Sequence, residues 1–315
     1  MARILALGEV LIDFTPCGKS DAGKLLFECN PGGAPANMLS CLTQFGHTCD
    51  MVGCVGDDTL GGEIAAALTA AGIGTRYLKR SSTVPTTLAM VTLSEQGERG
   101  FAFYRDHGAD LQISPADLPV GLLTEVDLVH VGALSLAGEP ARSATLALLL
   151  LAQEAGVPIS YDPNYRAPLF SNEATARQLM RIPLDCADIV KMSEEEAVFL
   201  TEEADAERAA FKLMTDYPAI AALMITYGAK GSAFYLPSGE SGMVAPCTGA
   251  TVVDTTGAGD YFMGGALAKL LGRGLLRHPT AELLRAACEQ GNYCGYAVVQ
   301  VRGALGVKIA LPQIK

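Results

Sequence analysis

The chain has 315 residues, half of them hydrophobic and only 18% charged, with 34 acidic against 23 basic residues and a formal net charge of −11. That composition is incompatible with a disordered chain, and the acidic balance argues against nucleic acid as a partner, because neutralising phosphates needs clustered Lys and Arg. A length prior of roughly 150 residues per domain allows two domains, although single α/β domains often run longer.

Strand-like runs alternate with helical patterns almost from end to end. Ile4 to Gly8 reads as a strand, and Pro35 to Phe45 as a helix ended by Gly46. Cys49 to Val55 is a second strand, followed by a helix from Leu60 to Ala71. Thr86 to Thr92 and Gly100 to Tyr104 pattern as a strand pair joined by a turn at Glu95-Gln-Gly97-Glu. Asp127 to Gly132 is a strand, and Ala141 to Ala155 a helix stopped by Gly156. Ile159 to Tyr161, Ile189 to Met192 and Leu223 to Thr226 read as further buried strands. Helices from Glu194 to Leu200, Ala206 to Thr215, Asp260 to Leu271 and Ala281 to Val299 fill the gaps. Such alternation predicts an α/β fold with a largely parallel sheet covered on both faces. Residues 14 to 31 contain no convincing helix; with the strand pair they predict a small β lid, formed by insertions at about 14–31 and 84–107 in one main domain.

Nine cysteines occur, an odd number with no Cys-x-x-Cys, and they read as reduced residues of a cytosolic protein. His47, His107, His130 and His278 show no ligand spacing to a Cys pair, so no zinc site is expected, and they read as packing or surface residues. The first apolar run contains Glu9 and Asp13 and lacks a basic flank, unlike a signal peptide. The longest apolar run, around Ala144 to Ala152, falls short of the roughly 20 residues a membrane span needs. The expectation is a cytoplasmic protein with no membrane partner.

The chemistry concentrates in two glycine-bearing segments. In Val253-Asp-Thr-Thr-Gly-Ala-Gly-Asp260, glycines precede a helix, so backbone N–H groups and the helix dipole converge where a phosphate can sit. Asp260 falls in the first turn, aimed at the same place, where it could accept a hydroxyl proton. Taken alone, the segment also fits a helix start capped by Asp. The Gly-x-Gly-x-x-Gly spacing of a dinucleotide site and the lysine-bearing P-loop pattern are both missing. The second segment, Pro31-Gly-Gly-Ala-Pro-Ala-Asn37, again opens a helix. Its glycines allow close approach to the backbone, and Asn37 offers a donor and an acceptor. Asp13, leaving the first strand, adds an acceptor suited to vicinal hydroxyls, although a plain glycine turn before a helix fits too.

Together these segments resemble the ribokinase-like family of carbohydrate kinases over nearly the whole chain and in the same order: Gly-Gly-x-x-x-Asn at 32–37, Val-Gly-Cys-Val-Gly-Asp-Asp at 52–58, Thr-x-Gly-x-x-Gly at 226–231 and Asp-Thr-Thr-Gly-Ala-Gly-Asp at 254–260. Within the family the chain looks most like fructokinases. Gly8-Glu-Val-Leu-Ile-Asp-Phe14, Phe103-Tyr-Arg105 and Tyr161-Asp-Pro-Asn-Tyr-Arg166 carry that likeness, and the Gly-Gly-Lys-Gly-Ala-Asn typical of ribokinases is absent.

The resemblance implies a three-layer α/β/α fold and transfer of the γ-phosphoryl of ATP to a sugar hydroxymethyl, fructose first. 2-Keto-3-deoxygluconate or an aminoimidazole riboside or nucleoside is the alternative substrate, and a non-catalytic sugar or nucleotide sensor a more distant reading. Asp260 matches the general base, and Gly257, Ala258 and Gly259 the anion hole. Asp13, Gly32, Gly33, Asn37, Phe103, Arg105 and Arg166 match substrate-binding positions. Lys191, Ser193, Glu196, Thr226, Gly228, Gly231 and Asn292 match the nucleotide side. Glu196 corresponds to the family's Mg²⁺-organising glutamate acting through water, with Ser193 in place of the usual Asn. Asp254 and Thr256, with the loop Arg302-Gly303-Ala304, correspond to a K⁺ site. Tyr261 stands where the family mostly has a small residue, either narrowing the site or packing outward. Unpaired strand edges are usually protected, so lid strands are expected to pair between subunits in a homodimer.

Overall fold

The computed structural model describes residues 1–93, 99–249 and 251–311. The turn expected at 95–98 lies outside the described residues.

A nine-stranded sheet forms the centre, in the order β13-β12-β11-β10-β9-β8-β1-β4-β5. Its strands are β1 (Arg3–Leu7), β4 (Thr48–Gly56), β5 (Ile73–Ser81), β8 (Leu128–Gly132), β9 (Ile159–Asp162), β10 (Ile189–Ser193), β11 (Ala222–Thr226), β12 (Ser232–Tyr235) and β13 (Ser241–Val244). The seven from β11 to β5 pair in parallel, and only β12 and β13 run antiparallel, at one edge.

The strands read as unbroken apolar runs because both of their faces are buried. Leu5, Leu7, Val129, Val131, Ile159, Val190 and Ile225 face one core. That core is closed by α3 (Ala141–Ala155), α4 (Glu173–Arg181), α5 (Glu194–Thr201) and α6 (Ala206–Asp216), through residues such as Leu148, Leu179, Leu200 and Leu213. Ile4, Ala6, Leu128, Ile189 and Met224 face the other core. There α1 (Ala34–Gln44), α2 (Thr59–Ala70), α7 (Ala258–Leu271) and α8 (Ala281–Val298) supply Met38, Ile64, Ala266 and Leu284. This is the three-layer arrangement that the strand–helix alternation predicts.

A second, four-stranded sheet has the order β3-β2-β6-β7 and comprises β2 (Leu11–Lys19), β3 (Leu25–Gly32), β6 (Leu88–Leu93) and β7 (Arg99–Tyr104). β2 pairs antiparallel with β3 and parallel with β6, and β6 antiparallel with β7. It leaves the central sheet directly after β1, so its inner residues overhang the C-terminal ends of the parallel strands. In open parallel sheets those ends are where ligands bind.

β5, β12, β13 and α4 are absent from the predicted elements, and each has a physical reason. β5 is an edge strand that alternates irregularly between buried and half-exposed positions. β12 and β13 are four residues each, too short to pattern. α4 buries only Ala176, Leu179 and Met180.

Candidate active site

The loop before α7 is built around Asp254, which is buried. Its Oδ1 accepts from Thr256 N at 2.8 Å and its Oδ2 from Gly303 N at 3.2 Å, tying the loop to the chain's C-terminal strap. Gly257 caps α7 at φ 78°, and a Cβ there would lie 2.3 Å from that of Ala304. Only glycine satisfies both demands. The first N–H groups of a helix have no intrahelical acceptor, and here they open toward a cavity of about 320 Å³ lined by Thr255, Thr256, Gly257, Ala258, Gly259 and Asp260. The Ala258 N–H also closes a 3.3 Å turn to Thr255 O.

Asp260 is 8% exposed, and its Oδ2 accepts from Asn37 Nδ2 at 2.8 Å. Asn37 lies in the first turn of α1, whose start depends on Gly33. Gly33 adopts φ 125°, and a Cβ on it would lie 2.3 Å from Glu9 O. Having no side chain, Gly33 cannot cap the helix, and the Glu9 carboxylate does so instead, accepting from Ala34 N at 2.9 Å. The other end of the Asn37 amide, Oδ1, is buried and has no partner among the described residues. Asn37 is one of the residues lining the cavity, and this acceptor is the part of its amide left for a hydroxyl-bearing ligand to satisfy.

The opposite walls come from the small sheet, through Leu11, Asp13 and Phe103, and from the ends of β8 and β9, through Leu134, Asn164 and Arg166. Several carboxyls share this enclosed space. Burial raises the Asp260 pKa, against the Asn37 bond and the Lys191 and Arg166 charges. Burial likewise pushes Asp13 up to about 7, opposed by Arg166, and Glu9 up to about 7, opposed mainly by the Ala34 N–H. Perturbed carboxyls gathered in one cleft are what acid–base chemistry requires.

A second hollow of about 390 Å³ shares Asn164 and Arg166 with the first and adds Lys191, Ser193 and Glu196. Lys191 Nζ bonds Asp162 Oδ2 at 3.0 Å, and a Cβ on Gly259 would come within 2.7 Å of it, so the ammonium adjoins the glycine loop before α7. Asp162, pushed up to about 7 by burial, keeps Oδ1 buried and without a partner among the described residues. Ser193 caps α5 in a reciprocal box with Glu196, whose Oε2 accepts from Ser193 N at 2.8 Å and Oε1 from Tyr165 N at 2.6 Å.

Of the expected residues, Asp13, Gly33, Asn37, Phe103, Arg166, Thr256, Gly257, Ala258, Gly259 and Asp260 line the central cavity. Gly32 lies just behind it, against Asp13 Oδ2. Thr226, Gly228, Gly231 and Asn292 stand apart, at and just past the end of β11 and on α8, where Asn292 Nδ2 donates to Ala245 O at 2.9 Å. Arg105 does not line the cavity, in contrast to its expected substrate contact. Its guanidinium is committed to buried Asp110, with Nε 2.7 Å from Oδ2, and to Leu134 O at 2.9 Å, so it braces a wall instead. Tyr261 packs away from the cavity with no exposed surface. Residues not anticipated are Glu9, Leu11, Leu134, Asn164 and Asp162. Glu9 had a signal, a charge inside an apolar run, and Leu11 shares a strand face with Asp13.

A parallel sheet carrying, at its C-terminal edge, an anion-binding helix start and a buried carboxylate beside hydroxyl-seeking groups defines a phosphotransferase acting on a small polyol. The chain is 38% identical over 306 residues to a probable chloroplastic fructokinase-6 of Arabidopsis thaliana, covering 96% of this chain and 78% of that one. Its fold matches the crystal structure of a fructokinase with bound ATP from Xylella fastidiosa at a TM-score of 0.87 and 28% identity, over 96% and 94% of the two chains. A Vibrio cholerae fructokinase, solved with fructose, ADP and calcium ion, matches at 0.84 and 29% identity over 97% and 95%. The model of the pfkB family of carbohydrate kinases matches residues 1–309, and the chain belongs to that family.

Proposed function

We propose that the protein is a fructokinase, transferring the γ-phosphoryl of ATP to the hydroxymethyl of fructose to give fructose 6-phosphate. The observation that carries this reading is the pairing of Asp260 and Asn37 beside the Gly257–Gly259 loop: a base, a hydroxyl acceptor and an anion cradle converge on one cavity. The fructose- and nucleotide-bound relatives of the same fold support the choice of substrates.

In this reading the sugar lies between Asp13, Asn37 and Phe103, and its hydroxymethyl points at the free oxygen of Asp260. As the hydroxymethyl oxygen attacks the γ-phosphorus, Asp260 takes its proton and the bond from the γ-phosphorus to the β-phosphate oxygen breaks. The loop amides and the Lys191 ammonium stabilise charge on the phosphoryl oxygens. The small sheet acts as a lid over the sugar that excludes water, which would otherwise compete for the phosphoryl group.

Mg²⁺, when bound with ATP, would supply positive charge that neutralises the phosphates. Glu196 fits an outer-sphere role, since each oxygen already accepts one backbone N–H and keeps a lone pair for water, and the unpartnered Asp162 Oδ1 is a further acceptor beside it. For K⁺, Asp254 ties the loop at Thr256 to the strap at Gly303, which supports a cation site built from the backbone of these two segments. Leu25, Leu26 and Phe27 on edge strand β3 are exposed at 62%, 44% and 37%, which supports a homodimer formed through the lid. A cytoplasmic location is in keeping with nine unpaired cysteines and with the lack, among the described residues, of any helix long and apolar enough to cross a membrane.

The test is ADP release with MgATP and K⁺ across fructose, ribose, 2-keto-3-deoxygluconate and nucleosides. Turnover highest on fructose is expected. Preference for the keto acid would reassign the substrate, and ATP binding without sugar-dependent turnover would remove the enzyme reading.

A further inference from the structure

The residue after Asp260 is a tyrosine whose phenol serves the C-terminal strap. The ring is fully buried, and its hydroxyl lies 2.9 Å from both Ala304 O and Val307 O and 3.3 Å from Ser40 Oγ. The strap carbonyls can only accept, so the single phenol proton goes to one of them, and in the contact with Ser40, whose Oγ accepts from Gly306 N at 2.9 Å, the serine is then the donor. Val307 O has another side-chain donor, Gln44 Nε2 at 3.0 Å, whereas the phenol is the side-chain donor that reaches Ala304 O. Tyr261 thus fixes the depth of Ala304.

That depth matters because of what Ala304 touches. Its methyl occupies the space beside Gly257, where a Cβ would lie 2.3 Å away. From the other side, Asp254 joins Gly303 N to the same loop. The strap and the loop of Gly257, Ala258 and Gly259 therefore form one packed unit, and the phenol is its anchor on the helix that carries Asp260. A phenylalanine would fill the same volume but could not donate to Ala304 O, leaving that buried carbonyl with only the longer bond from Val307 N, at 3.2 Å, to hold it.

We propose that Tyr261 is a positioning residue for phosphoryl transfer, holding Ala304 against Gly257 so that the loop amides stay aimed at the γ-phosphate. This rests on the anion-hole reading of residues 257–259. It accounts for a large aromatic side chain at a position that has no contact with the cavity.

The experiment is Tyr261→Phe, with calorimetric binding of ADP and of a non-hydrolysable ATP analogue, alongside kcat and the KM for fructose. The expected result is a roughly tenfold fall in kcat with fructose KM within twofold. The analogue, which alone brings a γ-phosphate to the loop, should lose about tenfold in affinity relative to ADP. Unchanged kcat, or equal loss for both nucleotides, would overturn the proposal even if the melting temperature drops, because that is the signature of a purely structural tyrosine. If Tyr261→Phe does not fold, Ala304→Gly keeps the phenol bond and removes the methyl contact; it should show the same selective loss, and equal or absent loss there refutes the idea. Wild-type protein that binds the analogue no more tightly than ADP would instead remove the anion-hole reading itself.

Discussion

Replacing Asp260 by Asn separates what this carboxylate does for catalysis from what it does for the fold. The amide is isosteric and can turn its carbonyl toward Asn37 Nδ2, keeping the 2.8 Å bond, so the cavity should survive intact. What disappears is the proton acceptor. General-base assistance is worth about 10²–10⁴ in rate, or ~3–5.5 kcal/mol of barrier, and kcat should fall by that factor. Stability should move the other way. Burial holds the folded-state pKa of Asp260 above its unfolded value. The stability this group contributes is therefore complete below the unfolded pKa of 3.8 and is lost as pH rises through the raised one. At pH 8, where a general base must be ionised, the wild type holds a buried charge that Asp260→Asn lacks, and the variant should melt higher than wild type. The gap should shrink as the pH falls toward 4. The nearby charges temper the gain without reversing it, because Lys191 keeps Asp162 and Glu196 as partners after Asp260 is neutralised. Coupled ADP-release kinetics and melting curves at both pH values make the comparison. A loss of activity below tenfold would refute the base assignment, and a large drop in melting temperature at pH 8 would refute the claim that burial opposes the charge.

The same sign applies to Glu9, whose carboxyl burial pushes up to about 7. Its contribution is complete below 4.5 and lost as pH rises through about 7, so Glu9→Gln, which keeps an acceptor for Ala34 N, should gain melting temperature on wild type between pH 5 and pH 8; parallel melting profiles would contradict this. Arg105→Met should destabilise the protein by about 3–5 kcal/mol in urea titrations, since it strands the buried Asp110 carboxylate. At temperatures where that variant stays folded its fructose KM should remain within a few fold, and a selective rise in KM would restore Arg105 to the substrate contacts.

The layered fold was legible in the sequence because parallel strands buried on both faces leave apolar runs, while the helices between them end on glycines such as Gly46 and Gly156, both at positive φ. The elements that escaped notice lie where that double burial fails. β5 closes one edge and the β12–β13 hairpin the other, so their patterns mix polar and apolar residues with no clean period. The small sheet was legible only as a region lacking helix, since β2 shares no strict alternation once the bulge between Pro16 and Gly18 shifts its register.

Within the site, legibility followed the backbone. Gly33 and Gly257 stand out in the sequence because a left-handed turn against a neighbouring chain excludes any other residue, and the helices that they start carry Asn37 and Asp260 to the same point. Side chains that act from a strand end have no such marker. Asp162 ends β9 and Asn164 lies two residues past it, in a stretch with no glycine, and only the three-dimensional approach of Lys191 reveals Asp162 as the partner that keeps an ammonium beside the Gly257–Gly259 loop. Arg105 is the converse: its neighbour Phe103 reaches the cavity from β7, but Arg105 lies beyond the end of that strand, where Asp110, five residues on, captures it. A charged residue near a site is thus assigned by the nearest opposite charge that the fold brings to it. For Lys191 that partner leaves two donors available to a phosphate, whereas for Arg105 the carboxylate and the Leu134 carbonyl turn the guanidinium into the wall itself.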